Sequence, residues 1–183
     1  MANTTFSGPV RSLNGFISFG PKAVVSLTAD TSLTVASHAG RVLTCNDADG
    51  KFTLPSITSG SSSAVAGTND YNVLSNLGTT YLFWVETLAT DMDIKTDGTD
   101  KFYGAVYTGI DSEETGETFV AAATNDVMTF NGTTTGGIVG SWIECTAIAS
   151  AKYFVRAGLI GSGTIATPLS LIHISEPTRL GMI

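Results

Sequence analysis

The sequence predicts an all-β domain, a β-sandwich or jelly-roll-like fold carrying an extended N-terminal arm. Three observations lead there. Roughly ten short apolar runs alternate with turn signals along the 183 residues. No stretch repeats its apolar residues with helical period. The strongest run, residues 79–87 (Thr-Thr-Tyr-Leu-Phe-Trp-Val-Glu-Thr), is too short for a typical helix and rich in aromatic and β-branched side chains. Alternation sends Tyr81, Phe83 and Val85 one way and Leu82 and Trp84 the other. Both faces of this run are apolar, so cover is expected on both, from a second sheet or from a neighbouring subunit.

In chain order, residues 1–14 are polar and read as an extended arm that orders on docking. Strands are expected at 15–19, 23–28 and 32–36, the last with Leu33 and Val35 on one face. Runs at 41–45 and 52–54 flank Asn46-Asp47-Ala48-Asp49-Gly50, which reads as the turn of a hairpin. Residues 58–70 form a Ser/Gly/Thr/Ala loop without period. Beyond the strand at 79–87, residues 91–96 alternate with Met92 and Ile94 inward. Asp97-Gly98 turns the chain into an aromatic strand at 101–110. An acidic loop at 111–117 and strands at 118–122 and 127–131 follow. After a Gly/Thr turn at 132–137 come strands at 141–148 and 152–157. In the first of these, Ile143, Cys145 and Ala147 share a face opposite Trp142, Glu144 and Thr146. The expected organisation is an arm (1–14), a single β-domain (15–168) and a tail (169–183).

Composition narrows the function. Only 14% of residues are charged, against roughly 25% in ordinary soluble domains, so a partner is expected to cover part of the surface. The net charge of −7 and pI near 4.6 argue against nucleic acid and anionic membrane surfaces, both of which select basic stripes. No charged segment followed by an apolar stretch opens the chain, and no apolar run reaches membrane-spanning length. A soluble protein made in a cytoplasm is expected. Cys45 and Cys145 lie in separate apolar runs and read as buried free thiols.

No catalytic constellation is legible. Outside the tail, His38 is the sole histidine and sits in a turn-like stretch between strands, short of what a Ser/His/Asp triad or zinc site needs. Asp91, Asp93, Asp97 and Asp100 cluster around one turn, and Asp47 and Asp49 around another. Asp91-x-Asp93 before Asp97-Gly98 faintly echoes a calcium loop. Lys95 stands where an oxygen ligand belongs, however, and no Glu closes the loop. The favoured reading is an outward strand face ending in an Asp-Gly turn. Any two of these acids could form a glycosidase pair, but spacing along the chain does not give their separation. No metal or cofactor is expected. Trp84, Tyr103, Tyr107, Trp142 and Tyr153 are the candidates for an oligomer interface or a glycan platform.

Two stretches resemble virion proteins of tailed phages, marine ones in particular. The opening Met1-Ala2-Asn3-Thr4-Thr5-Phe6-Ser7-Gly8-Pro9-Val10-Arg11-Ser12, with Asn14-Gly15-Phe16, is similar to the start of small head-decoration or capsid-associated proteins. The body resembles a β-fold of phage structural proteins that is also found in head and tail fibres. It has a Thr/Leu alternating run at 25–35 and a Gly turn at Gly40. A Phe-Thr-Leu-Pro segment follows at 52–55, then Gly-Thr-Thr-Tyr-x-Phe at 78–83. Gly-Ser-Trp-Ile-Glu at 140–144 pairs with Tyr-Phe-Val-Arg-Ala-Gly at 153–158. The family's Asp after the late Gly is replaced by Ser141, and its Gly-x-x-Trp turn by residues 149–152. The resemblance brings no catalytic residue. It implies a capsid decoration protein, assembled in a bacterial host and displayed on the virion as a homotrimer. The partner it implies is the phage major capsid protein, contacted through Phe6, Pro9, Val10, Arg11 and Phe16. A receptor- or glycan-binding module of a head or tail fibre is the alternative that the aromatics support.

Residues 169–179 resemble the in-frame translation of a transposase sequencing adapter, and 180–183 fit the barcode and constant segment that follow it. The tail is therefore expected to be foreign to the protein, and its His173 to carry no role.

Overall fold

The computed structural model describes residues 23–58, 75–111 and 115–171. The arm, the strand expected at 15–19, the capsid-contact candidates Phe6, Pro9, Val10, Arg11 and Phe16, and nearly all of the 58–70 loop lie outside the described residues.

The fold is all-β. In chain order it runs β1 (Val24–Leu27), β2 (Thr31–Ser32), a one-turn helix α1 (Val35–His38), β3 (Val42–Cys45), β4 (Lys51–Thr53) and β5 (Thr80–Val85). Then follow β6 (Met92–Lys95), β7 (Lys101–Ile110), β8 (Gly116–Val120), β9 (Val127–Phe130), β10 (Trp142–Ala149), β11 (Lys152–Gly161) and β12 (Leu169–Ser170). Seven strands form one sheet in the order β1-β3-β5-β10-β11-β7-β8, and five form the other, β12-β9-β6-β4-β2. Both sheets are mixed. Within the first, β1/β3, β3/β5 and β11/β7 pair in parallel. Within the second, β2/β4 and β4/β6 do.

Alternation is what builds the core. Tyr81, Phe83 and Val85 of β5, Ile143, Cys145 and Ala147 of β10, and Tyr153 and Val155 of β11 are fully buried. They meet Phe52, Met92, Ile94, Met128 and Phe130 from the other sheet in one cluster. Phe52 stacks on Phe83 with ring centroids 6.4 Å apart, which joins the two sheets at the centre. Burying side chains of this size contributes about 1.5–3 kcal/mol each, so this layer dominates the stability of the sandwich.

Two expectations are corrected. The strand at 32–36 ends at Ser32, because Thr34 caps a helical turn instead. Its hydroxyl accepts the Ser37 amide (3.3 Å), and its own amide donates to His38 Nδ1 (2.9 Å). Leu33 is buried while Val35 is only partly covered. Second, the runs around Asn46–Gly50 do not form a hairpin. β3 joins the seven-stranded sheet and β4 the five-stranded one, so the turn carries the chain between layers. Each strand has a single apolar stripe, and the two stripes face each other across the core. On the outer face of β5, Leu82 is half-buried and Trp84 is 44% exposed, so among the described residues the cover expected there is not complete. The first two residues of the tail lie at a sheet edge. Leu169 and Ser170 pair with Met128 and Val127 at the edge of the five-stranded sheet, and Leu169 is buried. Ladder bonds there are made by backbone, so an edge accepts many sequences. Residues 172–183 lie outside the described residues.

Candidate functional site

The outer face of the seven-stranded sheet carries the surface that stands out. Register brings four strands into one transverse row. Trp84 on β5 lies opposite Trp142 on β10, Trp142 lies opposite Gly158 on β11, and Gly158 lies beside Tyr107 on β7. Trp84, Trp142 and Tyr107 are 44%, 37% and 50% exposed.

The rings have an unusual bed. A Cβ placed on Gly158 would come 2.5 Å from Trp142 Nε1 and 2.9 Å from Cε2. The indole therefore lies down over Gly158, in space that only a glycine leaves free. Tyr107 does the same over two glycines. Its ring occupies the space above Gly116 and sits 3.5 Å from the Cβ position of Gly109, the residue paired with Gly116. Side chains on a strand ordinarily stand away from the sheet. Here two aromatic rings lean over backbone.

Polar groups frame the row. At the Trp84 end, Thr44 is the in-register neighbour on β3, and Ser26 follows it on β1. Asn46 Nδ2 donates to Ser26 Oγ (2.7 Å), Thr44 Oγ1 (3.3 Å) and Glu86 Oε2 (3.5 Å). One row along, Arg156 donates through Nε and Nη2 to the two carboxylate oxygens of Glu144, at 3.1 and 2.9 Å. That fork raises the Arg156 pKa above its ordinary value. A further row holds Thr80 and Thr146, bonded at 3.0 Å, then Phe154 and Tyr103. Lys152 Nζ lies 5.1 Å from the Tyr103 ring centre.

Of the five aromatic candidates, then, Trp84, Trp142 and Tyr107 come together, and Tyr103 lies at the far end of the same face. Tyr153 is a correction. It points inward, is fully buried, and its hydroxyl donates to the Pro55 carbonyl at 2.6 Å. Burial is the largest of the effects that push its phenol pKa up. It is a core residue and leaves the candidate surface. Gly158, Gly109, Gly116 and the Glu144–Arg156 pair are members the sequence reading did not single out. Strand alternation already puts Glu144 on the face of Trp142, and the same alternation along β11 turns Arg156 outward. The glycines give no such signal until the strands are aligned.

The other candidates resolve into structure. His38 Nδ1 receives the Thr34 amide and helps close α1. Lys51 Nζ pairs with Asp91 Oδ2 (2.9 Å) and Asp93 Oδ2 (3.2 Å). Burial lowers the Lys51 pKa, but the two carboxylates outweigh it and the net shift is upward. Asp97 accepts from Ser56 Oγ (2.6 Å) and from the amides of Thr99 (2.9 Å) and Asp100 (3.1 Å). Burial pulls the Asp97 pKa up, and these bonds overcome it and hold the group below its usual range. Asp100 receives the Ile57 amide, yet burial wins there and its pKa rises. These acids tie a turn to the 56–57 segment. Among the described residues, no group of three or more His, Cys, Asp or Glu is placed to hold a metal ion. Cys45 and Cys145 are free and buried, and burial pushes the Cys45 thiol up to about 12 and Cys145 in the same direction. No helix among the described residues is long and apolar enough to cross a membrane. A cleft of about 590 Å³ opens beside α1, lined by uncharged groups such as Leu33, Val35, Pro55, Ser56 and Asn76.

Compared with protein-family models, with curated proteins and with solved structures, the chain matches none.

Proposed function

We propose that this chain is a non-enzymatic structural protein of a tailed-phage virion. In this reading it decorates and stabilises the capsid as a homo-oligomer, a trimer, on the outer surface of the head, after assembly in the host cytoplasm. Its partner is the major capsid protein. The resemblance of the opening residues supplies the virion context. The observation that carries the reading is the outer face of the seven-stranded sheet. Val24, Trp84, Tyr107, Val120, Trp142 and Phe154 are all open on it, in a chain with few charges. Large apolar side chains gathered on one sheet face between polar rows are of the kind that a partner covers, and a symmetric oligomer covers them at several copies at once. A protein that binds only the assembled shell stabilises that shell by mass action. The test compares binding of the full chain to mature capsids with binding of a chain lacking residues 2–14. Tight binding that weakens on removal of the arm supports the reading, and equal binding removes the arm from it.

A second reading, a receptor- or glycan-binding module of a head or tail fibre, is favoured by one specific observation. Trp84, Trp142 and Tyr107 are open in a single row rather than scattered.

A further inference from the structure

We infer that the row Trp84, Trp142 and Tyr107 is a stacking platform for an uncharged glycan chain lying across β5, β10, β11 and β7; the inference rests on the second reading above and names its ligand.

The first ground is ring attitude. Trp142 and Tyr107 lean over glycine positions, so each ring is held close to the backbone while staying open to solvent. Side chains that interdigitate across a protein interface stand up from their sheet and fill gaps in the opposing one. An exposed ring held close to the sheet suits a flat partner. The apolar face of a pyranose is such a partner, and so is a nucleobase.

The second ground is extent. Adjacent strands lie about 4.8 Å apart, so the row from β5 to β7 spans about 14 Å. Gly158 brings no side chain of its own, and the Trp142 indole fills the space above it, on the strand next to Tyr107. That length suits a run of linked rings rather than one small molecule.

The third ground is charge. The chain carries −7 and a pI near 4.6, which disfavours nucleic acids and acidic polysaccharides. Arg156, the cation of the neighbouring row, is already held by both oxygens of Glu144. An anionic ligand is therefore disfavoured. The Ser26, Thr44, Asn46 and Glu86 network beside Trp84 offers donors and acceptors for sugar hydroxyls at one end of the row.

The experiment uses a property of the sequence. Trp84 and Trp142 are the two tryptophans of the chain, so intrinsic fluorescence reports on this row alone. The full chain is titrated with soluble glucans, mannans and galactans, and with alginate and polygalacturonate as charged polymers. Its mass is followed by light scattering. The expected result is a saturable fluorescence change with a neutral polymer. Binding should weaken at least tenfold in Trp142→Ala and in Gly158→Ala, which keeps both tryptophans but takes away the bed of one. Phe154→Ala, on the same face but outside the row, should bind within about twofold of the parent. Circular dichroism checks that each variant is folded. A response to charged polymers alone overturns the assignment of an uncharged ligand and leaves the recognition reading standing. No response to any polymer, from a monomer with quencher-accessible tryptophans, overturns both. Tryptophans shielded in a free trimer make the row a subunit interface, which overturns the platform and keeps the homo-oligomer.

Discussion

The indole of Trp142 lies over Gly158, the residue directly opposite it in the β10/β11 pair. The two positions are 16 residues apart in the chain and become partners through one hairpin register. A Cβ at position 158 would sit 2.5 Å from the indole nitrogen. The smallness of one residue therefore sets the attitude of the other. This coupling separates the stability of the sheet from the shape of its outer face, and it can be tested directly.

Gly158→Ala should leave the fold intact while lifting the ring. Replacing a strand-interior glycine gains roughly 0.5–1 kcal/mol of backbone entropy, and displacing an exposed ring costs a similar amount. The net change in unfolding free energy should stay within about 1 kcal/mol in denaturant titrations. Tryptophan emission should move to longer wavelength as the indole leaves the sheet. A loss of several kcal/mol would mean that the indole is a structural cover for the hairpin.

Two other glycines should respond very differently from each other. Gly104 has φ of +134° and its Cβ position runs into the Val155 carbonyl of the paired strand. Gly104→Ala should cost about 3 kcal/mol or more, from backbone strain and the forced separation of β7 from β11. Gly40 has φ of +69° with nothing within 4 Å of its Cβ position. Gly40→Ala should cost only about 1–2 kcal/mol, the left-handed penalty alone. Equal costs at the two positions would contradict the β7/β11 register.

Alkaline pH should expose the buried thiols. In the folded chain Cys45 keeps its proton to about 12, and burial raises Cys145 as well. In the unfolded chain both ionise near 8.5. Folded pKa values above unfolded ones mean stability that is fully present below about pH 8.5 and lost as pH rises toward the folded values. The slope should approach about 1.4 kcal/mol per pH unit for each thiol. Between pH 8.5 and 10, before unfolded tyrosines and lysines titrate, the thiols should dominate. The double variant Cys45→Ala, Cys145→Ala should be less stable at neutral pH and should show a flatter profile in this window. An unchanged slope would mean that the thiols are hydrated in the native state.

Much of the sandwich was legible because alternation is local. The inward sets Tyr81, Phe83, Val85 and Ile143, Cys145, Ala147 could be read from sequence, and they are buried. Parallel pairing was not legible, because turn signals report on neighbours in the chain, whereas β3 and β5 meet across 34 intervening residues. The helix at Val35–His38 was hidden by apparent alternation at Leu33 and Val35, and the Thr34 cap decided it. The aromatic candidates were named individually, but their assembly depends on four strands in register. Tyr153 illustrates what local reading could have settled. Arg156 faces outward, so alternation places Tyr153, three positions away, on the inner face. The row itself needed long-range pairing, and its glycine bed carried no signal without it.

The central claim is that the outer face of the seven-stranded sheet is where this chain meets its partner, whether capsid, second copy or glycan. Acrylamide quenching of the two tryptophans, in the free full chain and in its bound form, tests that claim most directly. Quenching of the bound form should fall severalfold below that of isolated exposed tryptophan. Tryptophans that remain fully accessible while the protein is bound to mature capsids or to a glycan would contradict it, and would move the working surface elsewhere on the molecule.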